Sequence, residues 1–250
     1  MSVRTGEFIG RGRHAASRAA NISPMSGPAR SGAGVGAVMF VVRALAITAV
    51  YHRGLSHRAY RMSRPVQFVG AFVGTAAAQR GPLWWVGHHR VHHRKADHPG
   101  DPHSPVQVGF GRAHVGWQFE RANRDARIEQ VLDLVAFPEL RWLDRWHYVA
   151  PISLAVACVA VGMGLHAWAP GLGADGPQVL VWGFVVSTVV LWHVAHHRYP
   201  ASARHGFFPG QLDATHALLR GLARLGIVSD LKPVPESVLA GVGLARGPRR

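Results

Sequence analysis

Apolar residues crowd into four stretches of this chain, separated by polar and glycine-rich segments. The first, residues 35–51, is broken by Arg43. At ~1.5 Å per residue, a helix of that length only just crosses ~30 Å of hydrocarbon. An arginine near its middle costs about 3 kcal/mol unless it is paired or faces protein. Residues 65–80 are apolar but short, opened by Pro65 and closed by Gly81-Pro82, which predicts a buried or re-entrant helix. Residues 148–168 and 178–195 are the best spans, and the short Gly/Pro linker Pro170–Pro177 predicts that they form a helical hairpin. Between these stretches, residues 83–147 are polar and carry Trp84, Trp85, Trp117, Trp142 and Trp146, a density that suits a headgroup belt.

The flanks differ in kind. Residues 1–34 are rich in Gly, Ala, Ser and Arg without apolar period, and read as a disordered or non-native segment with no signal-peptide core. The tail from 196 onward is polar and basic, with one amphipathic helix predicted at 211–226 and a disordered basic end at 237–250. The body, residues 35–236, then reads as one all-α domain, an integral membrane helical bundle. Few charges (16%) among many hydrophobic residues (48%) fit that class.

The formal charge of +15 comes almost wholly from arginine, since Lys95 and Lys232 are the only lysines. Such charge can signal nucleic acid. Here the basic residues flank apolar spans, so anionic headgroups or an acidic thioester or phosphate substrate explain them and a nucleic-acid partner is not expected. The one cysteine, Cys158, lies in an apolar run, which excludes disulfides and cysteine-type zinc sites.

Three histidine clusters sit at the ends of apolar or amphipathic stretches. They are His52-x-x-x-x-His57, His89-x-x-His92-His93 and His193-x-x-His196-His197. Spacings of three and four put the members of the second and third clusters on one helix face each. The five-residue spacing of His52 and His57 splits them by ~140° around an α-helix, serving two different metals or marking a helix end. Eight imidazoles exceed one zinc and suit two metals of higher coordination number, with iron the natural choice for oxygen chemistry in an all-nitrogen shell. His88 offers a shifted register, but the spacing from His89 repeats in the third cluster. Asp97, Asp101 and His103 follow the second cluster and are candidates to orient its imidazoles. Arg53, Arg58, Arg90, Arg94 and Arg198 lie beside or within the clusters and are candidates for an acidic carrier headgroup. All clusters must meet on one membrane face, and the arginine-rich loop and tail make that face cytoplasmic. The arginines of residues 1–34 would then lie on the far side, which leads us to expect one further span ahead of residue 35.

The string Tyr51-His52-Arg53-Gly54-Leu55-Ser56-His57-Arg58-Ala59-Tyr60 resembles the first histidine box of membrane acyl-CoA desaturases of the stearoyl-CoA, delta-9-like type. Gly81-Pro82-Leu83-Trp84-Trp85 with His89-Arg90-Val91-His92-His93-Arg94 is similar to the second box, and Asp101-Pro102-His103 and His114-Val115-Gly116-Trp117 follow as in bacterial members. Trp192-His193-Val194-Ala195-His196-His197-Arg198-Tyr199-Pro200 resembles the third box, and Asp230-Leu231-Lys232-Pro233-Val234-Pro235 the usual ending. The resemblance covers roughly residues 37–236. It implies two non-haem iron ions at the cytoplasmic face of a four-span bundle in a bacterial cytoplasmic membrane. It further implies O2 as co-substrate, an acyl-CoA or other acyl carrier, and a small electron-transfer protein of ferredoxin, rubredoxin or cytochrome b5 type. The product is a cis double bond in an unactivated chain, with a membrane hydroxylase as the nearest alternative chemistry.

Two departures from that pattern stand out. A span expected before the first box has residues 1–34 in its place, and the Asn-Ser-x-x-His element expected after the last span is missing, because Val189-Val190-Leu191-Trp192 runs straight into His193. One iron site is therefore expected to keep its ligands and the other to be one imidazole short, fillable by water, His98 or His103. An inactive shortened remnant is the non-enzymatic alternative.

Overall fold

The computed structural model describes residues 27–96, 98–101, 104–114, 116–190, 203 and 213–234. Helix α1 (Gly27–Leu45) runs without a break into a π-helical segment, Ala46–Ser56. Helices α2 (Arg64–Thr75) and α3 (Pro82–Lys95) follow. A cap of short helices comes next: α4 (Pro105–Val108), α5 (Phe110–His114), α6 (Leu132–Val135) and α7 (Pro138–Arg145). Helix α8 (Val149–Trp168) turns at Pro170–Leu172 into α9 (Gly176–Leu180), which continues through π-helical Val181–Val186 into α10 (Ser187–Val190). Helix α11 (Ala214–Arg224) packs beside the first box, and strand β1 (Arg61–Met62) pairs antiparallel with β2 (Val228–Ser229).

Among the described residues, two helices are long and apolar enough to cross a membrane, Ser31–Ser56 and Val149–Trp168; Gly176–Val189 is apolar but shorter. The first begins earlier than hydropathy suggests, because helix α1 already runs from Gly27 through Ser31-Gly32-Ala33-Gly34, residues that do not stand out as apolar. Of the segment 1–34 expected to be disordered, residues 1–26 lie outside the described residues, as do 237–250. Val38, Ile152, Val156, Met163 and Val189 are exposed, a surface that water does not favour and lipid does. The hairpin is built as the Gly/Pro linker predicts. Asp175 caps α9 by accepting the Gln178 N–H at 2.8 Å, and Gly173 takes a left-handed φ of 61° in the turn. The two arms touch at Gly162, where a Cβ would lie 2.3 Å from the Asp175 carbonyl oxygen.

Arg43 faces protein. Its guanidinium is buried, donating to the Ala76 carbonyl at 3.2 Å, to Thr188 Oγ1 at 2.5 Å and to Ser187 Oγ. One side chain thus ties α1 to the end of α2 and to α10, which offsets the cost of placing a cation in an apolar stretch. The tryptophans divide. Trp142 and Trp146 are exposed, but Trp84 and Trp117 are buried and stack at 5.2 Å with an 18° interplanar angle, so these two belong to the core rather than a headgroup belt. The main core lies directly beneath the histidines: Tyr51, Leu55, Ala71, Leu83, Val86, Val131, Leu134, Leu140 and Leu143.

Candidate metal centre

The first box ends the π-helical segment. There the His57 N–H bonds the His52 carbonyl at 3.2 Å, a bond five residues long. Bonding of that length stacks residues five apart on one side of the helix. This corrects the expected split: His52 and His57 face the same way, their Nε2 atoms 3.3 Å apart. The looser winding leaves carbonyls to be satisfied by side chains. Tyr60 Oη donates to Ala49 O at 2.9 Å and Ser56 Oγ to Tyr51 O at 2.8 Å. Close packing fixes the segment from behind, since a Cβ on Gly74 would stand 2.8 Å from the Tyr51 ring.

The second box rides on α3. Pro82 opens the helix and Gly81, its N-cap, has no capping side chain of its own. Asp144 of α7 supplies the cap instead, accepting the Trp84 N–H at 2.9 Å. Burial pushes the Asp144 carboxyl up, against the backbone N–H groups of Trp84 and Leu83 that pull it down.

Four imidazoles meet where the boxes face each other: His52, His57, His89 and His93, with one nitrogen of each within 4.8 Å of all the others. The His89 and His57 Nε2 atoms are 3.3 Å apart, and those of His93 and His89 3.0 Å. A metal at ~2.0–2.1 Å from each nitrogen needs neighbouring ligand atoms about 2.9–3.4 Å apart. The donor set therefore fits a metal ion, with iron compatible. Burial, together with the neighbouring imidazoles of His52, His93, His57 and His92, holds His89 well below the usual histidine range, so it is neutral and ready to donate a lone pair. The Trp85 ring stacks on His89 at 4.6 Å and 24°, fixing the plane of that ligand.

His92 stands apart from the four. It is buried and its Nδ1 lies 2.8 Å from Asp101 Oδ1 and 2.9 Å from Oδ2. A carboxylate on Nδ1 fixes the tautomer in which Nε2 carries the lone pair that a metal would take. His88 points away: its Nδ1 meets the Trp84 carbonyl at 2.9 Å and its ring packs against Trp84 and Trp117. Burial pushes His88 down to about 4. His98 is exposed with its Nδ1 at 2.7 Å from the Ala96 carbonyl. His193, His196, His197, Asp97, His103 and Arg198 lie outside the described residues.

Four of the arginines beside the boxes, Arg53, Arg58, Arg90 and Arg94, meet protein groups. Arg53 is buried and paired with Asp213 at 2.8 Å and the Ala203 carbonyl at 2.7 Å, joining the first box to the segment before α11. Arg90 is engaged by Asp133 and three carbonyls. Arg58 is exposed, shares Asp133 at 3.0 Å from Nε, and has a left-handed φ of 49°, while Arg94 reaches the Gln130 side chain. Asp133 and Asp144 had no signal in the sequence; neither stands near one of the three histidine clusters. Burial raises the Asp133 carboxyl, but the Arg90 and Arg58 guanidinium groups outweigh it and hold the group below its ordinary value.

A mostly helical chain with four imidazoles converging at the C-terminal end of a long apolar helix defines a class: a helical protein with a candidate metal centre set against an apolar body. No family model matches the chain. Curated relatives do. It is 31% identical over 222 residues (77% of the chain, 60% of the relative) to the chloroplastic palmitoyl-monogalactosyldiacylglycerol delta-7 desaturase of Arabidopsis thaliana. It is 31% identical over 225 residues (76% and 68%) to acyl-CoA 5-desaturase AL21 of Anemone leveillei. It is 27% identical over 248 residues (83% and 74%) to sn-1 stearoyl-lipid 9-desaturase of Synechocystis sp.. The chain belongs to the fatty acid desaturases, oxidoreductases of lipid metabolism. It spans 60% and 64% of the length of two of the most similar relatives. Their names cover lipid-linked and CoA-linked chains and positions 5, 7 and 9, so they support the family and not the stearoyl-CoA delta-9 subtype in particular. Two apolar helices and these relatives together point to a membrane protein.

Proposed function

We propose that this chain is an O2-dependent fatty acyl desaturase that introduces a cis double bond into an acyl-CoA or acyl-lipid chain at a histidine-ligated di-iron centre. The convergence of four Nε2 atoms at the end of the helix Ser31–Ser56 is the observation that carries this reading. His52, His57, His89 and His93 would hold one iron. His92, oriented by Asp101, would serve the second together with the third box, His193, His196 and His197. Bound iron would supply O2 activation, which no side chain here can replace because a methylene C–H offers no acid–base handle. The protein holds the His89 imidazole well below its ordinary range and sets the four rings against an apolar core, which limits water at the site. Residues 35–236 form the desaturase domain in this reading, with the boxes facing the cytoplasm of a bacterial cell. Electrons come from a ferredoxin, rubredoxin or cytochrome b5 type protein. Position 9 is the regiochemistry we expect from the resemblance of the boxes.

The test is product analysis in cells expressing the full chain and fed perdeuterated stearate. Gas chromatography with mass spectrometry should show a monoene lacking two deuterons, and its position separates 9 from 5 and 7. A hydroxylated product at the same carbon assigns the hydroxylase alternative instead. Unchanged stearate, with the protein folded in the membrane, would assign the inactive remnant.

A further inference from the structure

The two boxes that meet at the metal centre are on separate helices, and one side chain spans the join. Arg90 stands between His89 and His92 in sequence. Its Nε donates to the Ser56 carbonyl at 3.1 Å and its Nη2 to the Leu55 carbonyl at 2.8 Å. Its Nη1 donates to the Gln130 carbonyl at 2.8 Å and to Asp133 Oδ1 at 2.7 Å, and Nη2 also reaches Asp133 Oδ2 at 3.0 Å. A guanidinium has five N–H donors in a fixed planar fork, and all five are used here. Leu55 and Ser56 end the π-helical segment, immediately before His57. Helix-end carbonyls lack partners within the helix, and a cation there is favourable. Directly beyond, Arg58 holds a left-handed backbone that few non-glycine residues adopt, and it is anchored by the same Asp133. Thus the chain before His57 is fastened directly to the residue that follows His89, and the chain after it is tied to the same residue through Asp133. These are the two histidines whose Nε2 atoms lie 3.3 Å apart across the join.

We infer that Arg90, braced by Asp133, is a positioning residue that sets His57 against His89 before metal binds. The inference rests on the metal-centre reading above. Its role differs from the headgroup contact expected of this arginine from the sequence, because no N–H is left to offer a carrier.

The test uses full-length protein in detergent, stripped of metal and titrated with cobalt(II), whose visible ligand-field band reports both affinity and ligand geometry. Removing a residue that orients metal ligands typically weakens binding by ~10–100-fold. Arg90→Gln should raise the cobalt Kd by about that factor and shift the band, at a temperature where circular dichroism shows every variant folded. Arg90→Lys, with three donors in place of five, should fall between, and Asp133→Asn should show a smaller rise. Arg64→Gln breaks an exposed ion pair with Glu139 elsewhere in the cap and should leave Kd and band unchanged. A role limited to stability would move the melting temperature and leave the band alone. Should Arg90→Gln fail to fold, Arg90→Lys and Asp133→Asn decide. Parental Kd and band in the folded Arg90 variants, or in Arg90→Lys and Asp133→Asn alone, would overturn the clamp while sparing the metal centre. A parent chain that binds no cobalt would remove the metal-centre reading and the clamp with it.

Discussion

His89→Ala is expected to lower desaturation by at least ~1,000-fold and bound iron by about one ion per chain, since even residues one shell behind the ligands govern 10–100-fold. His89 is the hub of the four-histidine group: its Nε2 lies against both His57 and His93, and its ring is clamped by Trp85. Alanine leaves three donors and a hole beneath them. The partner experiment is His88→Ala, one residue away. His88 faces the Trp84 carbonyl and packs against the Trp84 and Trp117 rings, so its loss should cost stability of roughly 1–3 kcal/mol and leave iron content at the parental level. Iron analysis on the two purified variants checks both halves. Equal iron in His89→Ala and parent would mean that the four imidazoles do not form the site.

Asp101→Ala is expected to have the next largest effect, and a different one. Asp101 is buried against His92 and not against the other four histidines. Without the carboxylate, His92 loses the partner that fixes its Nδ1–H tautomer, and its metal affinity should fall by ~10–100-fold. Iron should then drop from about two toward one per chain under mild chelation, while the cobalt band of the four-histidine site stays as in the parent. Loss of both ions in step, or of neither, would show that His92 does not serve a separate position.

The extent to which this fold could be read in advance follows from how local each signal is. Helix α3, the short α2, the hairpin around Pro170 and the amphipathic α11 were legible because apolar period, Pro, Gly and capping residues act within a few neighbours. The shared face of His89 and His93 was legible for the same reason, since spacing fixes the face. The grouping of His52 with His57 was not. An α-helical turn angle separates them, and the π-helical winding that brings them together depends on Gly70 and Gly74 of α2 lying close behind and on Tyr60 and Ser56 satisfying loosened carbonyls. The separation of His92 from His89 and His93 was likewise hidden, because Asp101 must fold back to define it. The arginines beside the boxes looked like a headgroup surface, and Arg53 and Arg90 proved to be internal once Asp213 and Asp133 came into place across 160 and 43 residues. Long-range carboxylates carry no local sequence pattern. The third box lies outside the described residues, so the expectation that one site is an imidazole short stands on the sequence.

Iron per chain, measured on full-length protein purified in detergent from iron-replete cells, tests the central claim most directly. A di-iron centre built from these histidines requires close to two ions per chain. One ion or none would contradict it, and the desaturase activity proposed for this chain would have to be withdrawn.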